Sequence, residues 1–299
     1  MKKIISILIT VLLFSCSTNQ KEKLVVGIIA PSLNHLPIKF GMQFGILKGK
    51  DIVIKKFSSG WETNEALIAE KIDVAIMPFT YIWSDVSQGK KVKIISFLER
   101  ESDGIITRKD IQKISDLDGK KIGVLRASTL DIFAEMLTEN YQIKPELVYF
   151  RTPMEMAAAL NSKAVDALSF YVPSIFNFDE NFHILHWYSD DFPKHPCCDI
   201  AATQTAIDNK STQIKNFLNQ MKESCNQMNL NPQVGFDVAQ TNFRLTEEIS
   251  RQSIYHTKYI MNLAEAGKDF EKKAIEMMIK KGYIENSVSA DDVYFEVLQ

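Results

Sequence analysis

The chain has 299 residues, with 35 lysines and arginines against 37 aspartates and glutamates and a formal net charge of −2. That balance leaves no basic arm for a phosphate backbone, so nucleic acid is excluded as a partner. Beyond Cys16 only Cys197, Cys198 and Cys225 remain, an odd number that speaks against a disulfide framework, and the length is enough for two domains of about 100–150 residues, each with its own core.

Residues 1–15 read as an export signal. Met1-Lys2-Lys3 is a short basic start, residues 4–14 are apolar apart from Ser6 and Thr10, and the run stops at Leu13-Phe14-Ser15-Cys16. This run falls short of the roughly 20 residues a membrane-spanning helix needs. Its end resembles a bacterial lipoprotein box cut before Cys16. The resemblance implies a thiol linked to diacylglycerol and an acylated new amino terminus, and several acyl chains anchor stably where one would not. Residues 16–23 then form a polar tether.

The body begins with a strand. Residues 24–30 (LVVGIIA) are a continuous apolar run, and a candidate helix follows over 37–47. A strand at 52–57, a helix at 64–70 and strands at 73–77 and 92–98 continue the alternation. Strands apolar on both faces and separated by helices predict a parallel sheet covered on both sides. The pattern restarts at 118–125, with a helix at 129–140. "AAALNSKAVDALSF" (157–170) echoes "ALIAEKIDVAIMPF" (66–79): an Ala-rich helix, a lysine, then a strand opening on Asp73 or Asp166. Two similar halves predict two lobes, the first from 24–108 and 203–299 and the second from 109–202, with hinges near 104–109 and 197–203. Residues 197–207 read as a strand-like return. A helix from 211 onward places Ile214, Phe217, Leu218, Met221 and Cys225 on one face, making Cys225 a buried apolar residue. Further helices are predicted over 234–240, 247–260 and 270–281, the last stopped by Gly282.

Taken in order, the lipoprotein signal, "VVGIIAPSLNHLPIKFGMQFGIL", "AEKIDVAIM", "SDLDGKKIGVLRAST", "AVDAL", "VPSIF" and the helical carboxyl end carry a resemblance over nearly the whole mature chain. They resemble the substrate-binding proteins of ABC importers in the nitrate, sulfonate and taurine group, which includes binders of thiamine-pyrimidine precursors. The resemblance implies an α/β, two-lobed type II periplasmic-binding fold, crossed twice by the chain and holding ligand in the cleft. It also implies an extracytoplasmic, lipid-anchored monomer that passes a small organic or anionic solute to an ABC permease. No catalysis, cofactor or metal is implied.

In open α/β sheets, ligands lie beyond the carboxyl ends of strands, where loops enter helices. This rule selects Ser32, Asn34 and His35 after the first strand, Ser59 and Trp61 after the second, and Thr80 and Tyr81 after the third. Trp61 could stack on a planar ligand. In the second lobe the same rule selects Arg126, Ser128, Thr129 and Tyr171. A helix amino terminus with a hydroxyl and a guanidinium suits an anion. A surface ion pair suits Arg126 nearly as well, and helix capping suits Ser128 or Thr129.

Cys197-Cys198 stands at the return crossing, where alternation on an extended segment points one thiol toward ligand and the other into a lobe. A structural zinc site wants four N/S ligands, and no second cysteine pair is present; a vicinal disulfide strains its ring. His183 and His186 lie on a strand-like stretch, facing opposite ways, so they do not share a metal. His256 reads as a surface or core residue. The resemblance extends to the eukaryotic thiamine-pyrimidine synthase, an iron-dependent enzyme of the same fold. That enzyme has a cysteine-rich run near this point in the chain and a histidine at the place of His35, which it consumes together with pyridoxal phosphate. Having only two adjacent cysteines and an export signal counts against that alternative, whereas the shared loop points to a heteroaromatic ligand.

Overall fold

The computed structural model describes residues 22–30, 32–285 and 288–298, so the leader and Cys16 lie outside the described residues. The first lobe opens with β1 (Leu24–Ile29), α1 (Leu36–Gln43), β2 (Ile52–Phe57), α2 (Gly60–Ile68), β3 (Val74–Pro78), α3 (Phe79–Ser87) and β4 (Val92–Phe97). The short strand β5 (Glu99–Glu101) crosses to the second lobe. There follow β6 (Asp103–Arg108), β7 (Lys121–Leu125), α4 (Thr129–Tyr141), β8 (Glu146–Phe150), α5 (Pro153–Asn161), β9 (Ala167–Tyr171), β10 (Phe182–Trp187) and α6 (Tyr188–Asp191). The chain returns through β11 (Cys198–Thr203), then α7 (Gln204–Asn209), α8 (Ser211–Leu230), α9 (Pro232–Phe243), α10 (Glu247–Tyr255), β12 (Thr257–Tyr259), α11 (Glu265–Lys280) and α12 (Ala290–Val293).

The strand orders are β2-β1-β3-β11-β4 and β10-β6-β9-β7-β8, with parallel pairs at β1, β2 and β3 and at β7, β8 and β9. All five residues of β3 are buried, as expected for a strand covered on both faces. The sequence echo has a structural cause. Asp73 Oδ2 accepts from Val25 N at 2.7 Å and Asp166 Oδ2 from Lys121 N at 2.8 Å, so each lobe uses one aspartate to tie the start of its first parallel strand to its neighbour.

Two boundaries differ from the sequence expectation. Residues 103–108, assigned to the end of lobe 1, form β6 and pair with β9 and β10 in the second sheet. Residues 198–202, assigned to lobe 2, lie in β11 between β3 and β4 of the first sheet. An apolar run identifies a strand but not the sheet it joins, and both exchanges fall a few residues earlier than predicted. The crossings lie side by side: Cys197 N donates to Glu99 O and Glu101 N to His195 O, each at 3.0 Å. Glu101 and Ser102 turn the outward crossing with φ of 65° and 76°, the left-handed region that non-glycine residues enter at a cost. The helix expected over 247–260 stops at Tyr255, because residues 257–259 pair with β5 instead.

Helix α11 links the lobes. Its Glu271 accepts from Trp83 Nε1 at 3.0 Å and from the Tyr294 hydroxyl at 2.5 Å within lobe 1. Just past its end, Tyr283 and Lys281 reach Asp131 and Glu135 on α4 of lobe 2.

Candidate functional site

A narrow pocket, whose 490 Å³ of empty space includes space open to solvent, lies between the lobes, at the carboxyl ends of the parallel strands and over the two crossings. Lobe 1 supplies Ser32, Ser59, Pro78 and Tyr81; lobe 2 supplies Ser128, Thr129 and Tyr171; the crossings supply Glu99, Ser102, Asp103, Cys197 and Cys198. The two lobe-1 serines are held by their local fold: the Ser32 side chain accepts from Asn34 N and that of Ser59 from Glu62 N, both fixing the loop that enters a helix. Tyr81 donates its hydroxyl to Arg126 O across the cleft at 3.3 Å.

Most of the loop residues selected from sequence therefore meet at one place, and five do not line it. Asn34 and His35 are buried behind the wall. Asn34 Nδ2 donates to Ile76 O (3.5 Å) and Cys198 Sγ (3.7 Å), and its Oδ1 accepts from His35 Nδ1 at 3.1 Å. Burial, reinforced by Lys39 and Lys56, lowers the His35 pKa to about 3, so the ring is neutral, and it packs on Phe243. Thr80 is fully buried. Trp61, 52 % exposed, and Arg126 line an adjoining outer basin that shares Ser59, Tyr81 and Leu125 with the cavity. The anion position expected at α4 already holds a carboxylate, because Asp131 Oδ2 accepts from Ala127 N at 2.9 Å, and Ser128 spends its hydroxyl on Leu125 O. His186 Nε2 pairs with Asp191 at 2.7 Å, away from the cleft.

The sequence reading missed the acids. Glu99 and Asp103 are 2 % and 1 % exposed. Burial, then the neighbouring Asp103, pushes the Glu99 carboxyl up to about 8, and burial likewise raises Asp103. Glu99 Oε2 and Asp103 Oδ2 have no hydrogen-bond partner among the described residues. His195 Nδ1 donates to Phe192 O at 2.9 Å, which turns Nε2 toward Asp103 Oδ2 at 3.7 Å. The available signal was "ERESD" (99–103), an acidic cluster directly after a buried strand, where a solvated turn would normally stand.

Both cysteines face the cavity, with their sulfurs 3.8 Å apart, so the expectation of opposite orientations fails. Regular pairing begins only at Cys198, and Cys197 still belongs to the crossing, where strand alternation does not apply. The hydrogen bond with Cys198, followed by burial, raises the Cys197 thiol well above its ordinary value, and burial pushes Cys198 up to about 11. Both are protonated at neutral pH and are poor nucleophiles.

A family model described as NMT1/THI5 like matches residues 47–234. No curated protein matches the chain in sequence. Among solved structures, the ligand-binding component of an ABC-type import system from Staphylococcus aureus, with zinc bound, is similar with a TM-score of 0.79 and 18 % identity, over 93 % of this chain and 98 % of that one. The alkanesulfonate-binding protein SsuA from Xanthomonas axonopodis pv. citri, bound to MOPS, has a TM-score of 0.79 and 12 % identity over 91 % and 98 %. The periplasmic nitrate-binding protein NrtA from Synechocystis PCC 6803 has 0.78 and 16 % over 92 % and 86 %. The fold is that of the periplasmic-binding proteins.

Proposed function

The chain belongs to the NMT1/THI5-like family, and from that premise we propose that it is an extracytoplasmic solute-binding lipoprotein, clamping a small solute between its lobes and handing it to an ABC permease. The observation that carries this reading is the interlobe cavity with its buried carboxyls: Glu99 Oε2 has no hydrogen-bond partner among the described residues, and Asp103 Oδ2 has only the His195 ring at 3.7 Å. Leaving such an atom unsatisfied costs about 1–3 kcal/mol, and a solute that donates hydrogen bonds there removes the cost on closure.

The same acceptors select the solute. No lysine or arginine stands among the described lining residues, so an anion would find two carboxyl groups and no counter-charge, Glu99 being mostly protonated at neutral pH. A neutral or cationic nitrogen heterocycle bearing amino groups fits: its N–H groups meet Glu99 and Asp103, and its faces meet Tyr81 from one lobe and Tyr171 from the other. This solute differs in charge from the sulfonate and nitrate of the two similar transport proteins. The synthase alternative needs a histidine within reach of its substrate; His35 is buried, neutral and outside the cavity lining, which favours capture without turnover.

Calorimetry against a panel of amino-substituted pyrimidines, alkanesulfonates and nitrate tests the proposal, together with native mass spectrometry of protein from its own cells. Saturable binding of the amino heterocycles is expected. Preference for sulfonate or nitrate overturns the solute class, and release of a chemically altered product overturns the binding role.

A further inference from the structure

The outer basin beside the cavity has a chemistry of its own. It is walled by both lobes, with Trp61, Asn64 and Asp85 from lobe 1 and Arg126, Phe150 and Arg151 from lobe 2, and it adjoins the cavity along Ser59, Tyr81 and Leu125. The cavity is the narrower of the two, so a solute larger than a single planar ring must continue outward. The hollow that meets the cavity at Pro153 is lined by Met154, Phe170 and Phe178 and by no charged residue, which leaves the basin as the favourable direction for a polar extension.

Two features of the basin define what it takes. Its wall holds buried acceptors: Asn64 and Asp85 are 6 % and 5 % exposed, and Asn64 Oδ1 and Asp85 Oδ2 have no hydrogen-bond partner among the described residues. Hydroxyl or N–H donors on a ligand would satisfy both. Its charge is the reverse of the cavity's: Lys90, Arg126 and Arg151 stand against Glu65 and Asp85, and burial pushes the Asp85 carboxyl up to about 7, so much of that acid is uncharged at neutral pH. Arg126 faces the Tyr149 and Tyr283 rings at 6.0 and 5.9 Å, and neither guanidinium has an ion-pair partner among the described residues. Such forks match a carboxylate or a phosphate. The exposed Trp61 indole adds a flat apolar wall for a carbon skeleton.

We propose that cavity and basin form one continuous site, and that its solute is an amino heterocycle carrying a hydroxylated arm that ends in an anion, the build of a nucleoside monophosphate. The ring meets Tyr81 and Tyr171, the hydroxyls donate to Asn64 and Asp85, and the anion meets Arg126 and Arg151. This rests on the heterocycle reading above and adds the arm to it. Because both lobes wall the basin, the arm bridges them and favours closure alongside the ring.

Calorimetry with four nested probes, cytosine, cytidine, cytidine 5′-monophosphate and ribose 5-phosphate, separates the parts of the site. A hydrogen bond to a charged group is worth about tenfold or more in affinity, so the nucleotide should bind at least about tenfold more tightly than cytosine, with cytidine between them. Raised salt should shrink the phosphate gain, since exposed charges are screened, and leave cytosine unaffected. Arg151→Gln, at an exposed position outside the cavity lining, should remove most of the phosphate gain and leave cytosine binding unchanged. Cytosine that binds with no gain from sugar or phosphate overturns the arm and leaves the heterocycle reading standing. Ribose 5-phosphate that binds as tightly as the nucleotide overturns the joint site and the heterocycle reading together, as does failure of all four probes to bind. A phosphate gain that survives Arg126→Gln combined with Arg151→Gln places the anion outside the basin and overturns the proposal.

Discussion

Replacing Tyr283 with phenylalanine should loosen the clamp. The tyrosine hydroxyl donates to Asp131 Oδ2 at 2.7 Å. Asp131 is fully buried on the first turn of α4, in lobe 2, while Glu271 holds α11 to Trp83 and Tyr294 in lobe 1. The bond therefore joins the lobes. A hydrogen bond to a charged group is worth about 1.5–3 kcal/mol. Lys281 remains 3.6 Å from Asp131 after the substitution, so the carboxylate keeps a counter-charge and the loss stays inside that range. Taking about 2 kcal/mol, the ratio of closed to open protein falls roughly 30-fold. Small-angle scattering of the solute-free variant should show a larger radius of gyration, with an unchanged circular-dichroism spectrum. Asp131→Asn and the double variant complete a cycle that separates the pair from other effects. A scattering profile that superimposes on wild type, with a denaturation midpoint lowered by the full amount, would refute the reasoning: the contact would then serve folding and not closure.

Four further outcomes are expected. Cys16→Ser should abolish labelling by radioactive fatty acid and release soluble protein; label on the variant would remove the lipid anchor from the proposal. Arg100→Ala should destabilise the fold by about 3–5 kcal/mol in chemical denaturation, because it strips the counter-charge from buried Asp199 at 3.5 Å, and Asp199→Asn in the same chain should restore part of the loss. Tyr171→Ala should weaken binding of an amino heterocycle by about 1–3 kcal/mol in calorimetry, whereas Trp61→Ala, in the outer basin, should cost under about 1 kcal/mol. Burial pushes the Asp85 carboxyl up to about 7 from 3.8; the unfolded chain ionises first, so stability falls as pH rises between those values and is flat above, and Asp85→Asn should stabilise the protein at pH 8 but not at pH 4 in urea melts.

The alternation of strands and helices was legible because parallel strands buried on both faces leave continuous apolar runs, as at β1 and β3. Asp73 and Asp166 were legible as an echo, though not as the paired backbone acceptors they are. The sheet to which β6 and β11 belong was not legible, since each run reads the same whichever sheet receives it. Loop positions after strands brought six of the selected residues, Ser32, Ser59, Tyr81, Ser128, Thr129 and Tyr171, to the cavity wall, because topology alone carries a strand's carboxyl end to the cleft. The side chains' chemistry predicted it less well. His35 is the most conspicuous polar residue of its loop, yet it is turned inward onto Asn34 and Phe243. Glu99 and Asp103 have the residue types least often buried, and their burial arises only when the two crossings pack side by side.

That packing also explains why the return crossing carries two kinds of buried polar group. Asp199 follows Cys198 on β11 and, by strand alternation, turns to the opposite face, where Arg100 and the carboxyl of Glu271 meet it. Burial and mutual repulsion raise both acids, so the network is held by Arg100, Trp83 and Tyr294 rather than by full ionisation. The other face carries Cys198 and packs beside Cys197, Glu99 and Asp103 at the cavity, where Glu99 Oε2 has no hydrogen-bond partner among the described residues. One face therefore ties the crossing to α11, which reaches α4; the other presents acceptors to whatever enters the cleft. An occupant drawn onto Glu99 in β5 and Asp103 in β6 pulls on the outward crossing, which Cys197 N joins to the return crossing at Glu99 O, and the next strand, β11, is anchored on its reverse side toward the interlobe helix, so occupancy and closure share a mechanical connection through the paired crossings.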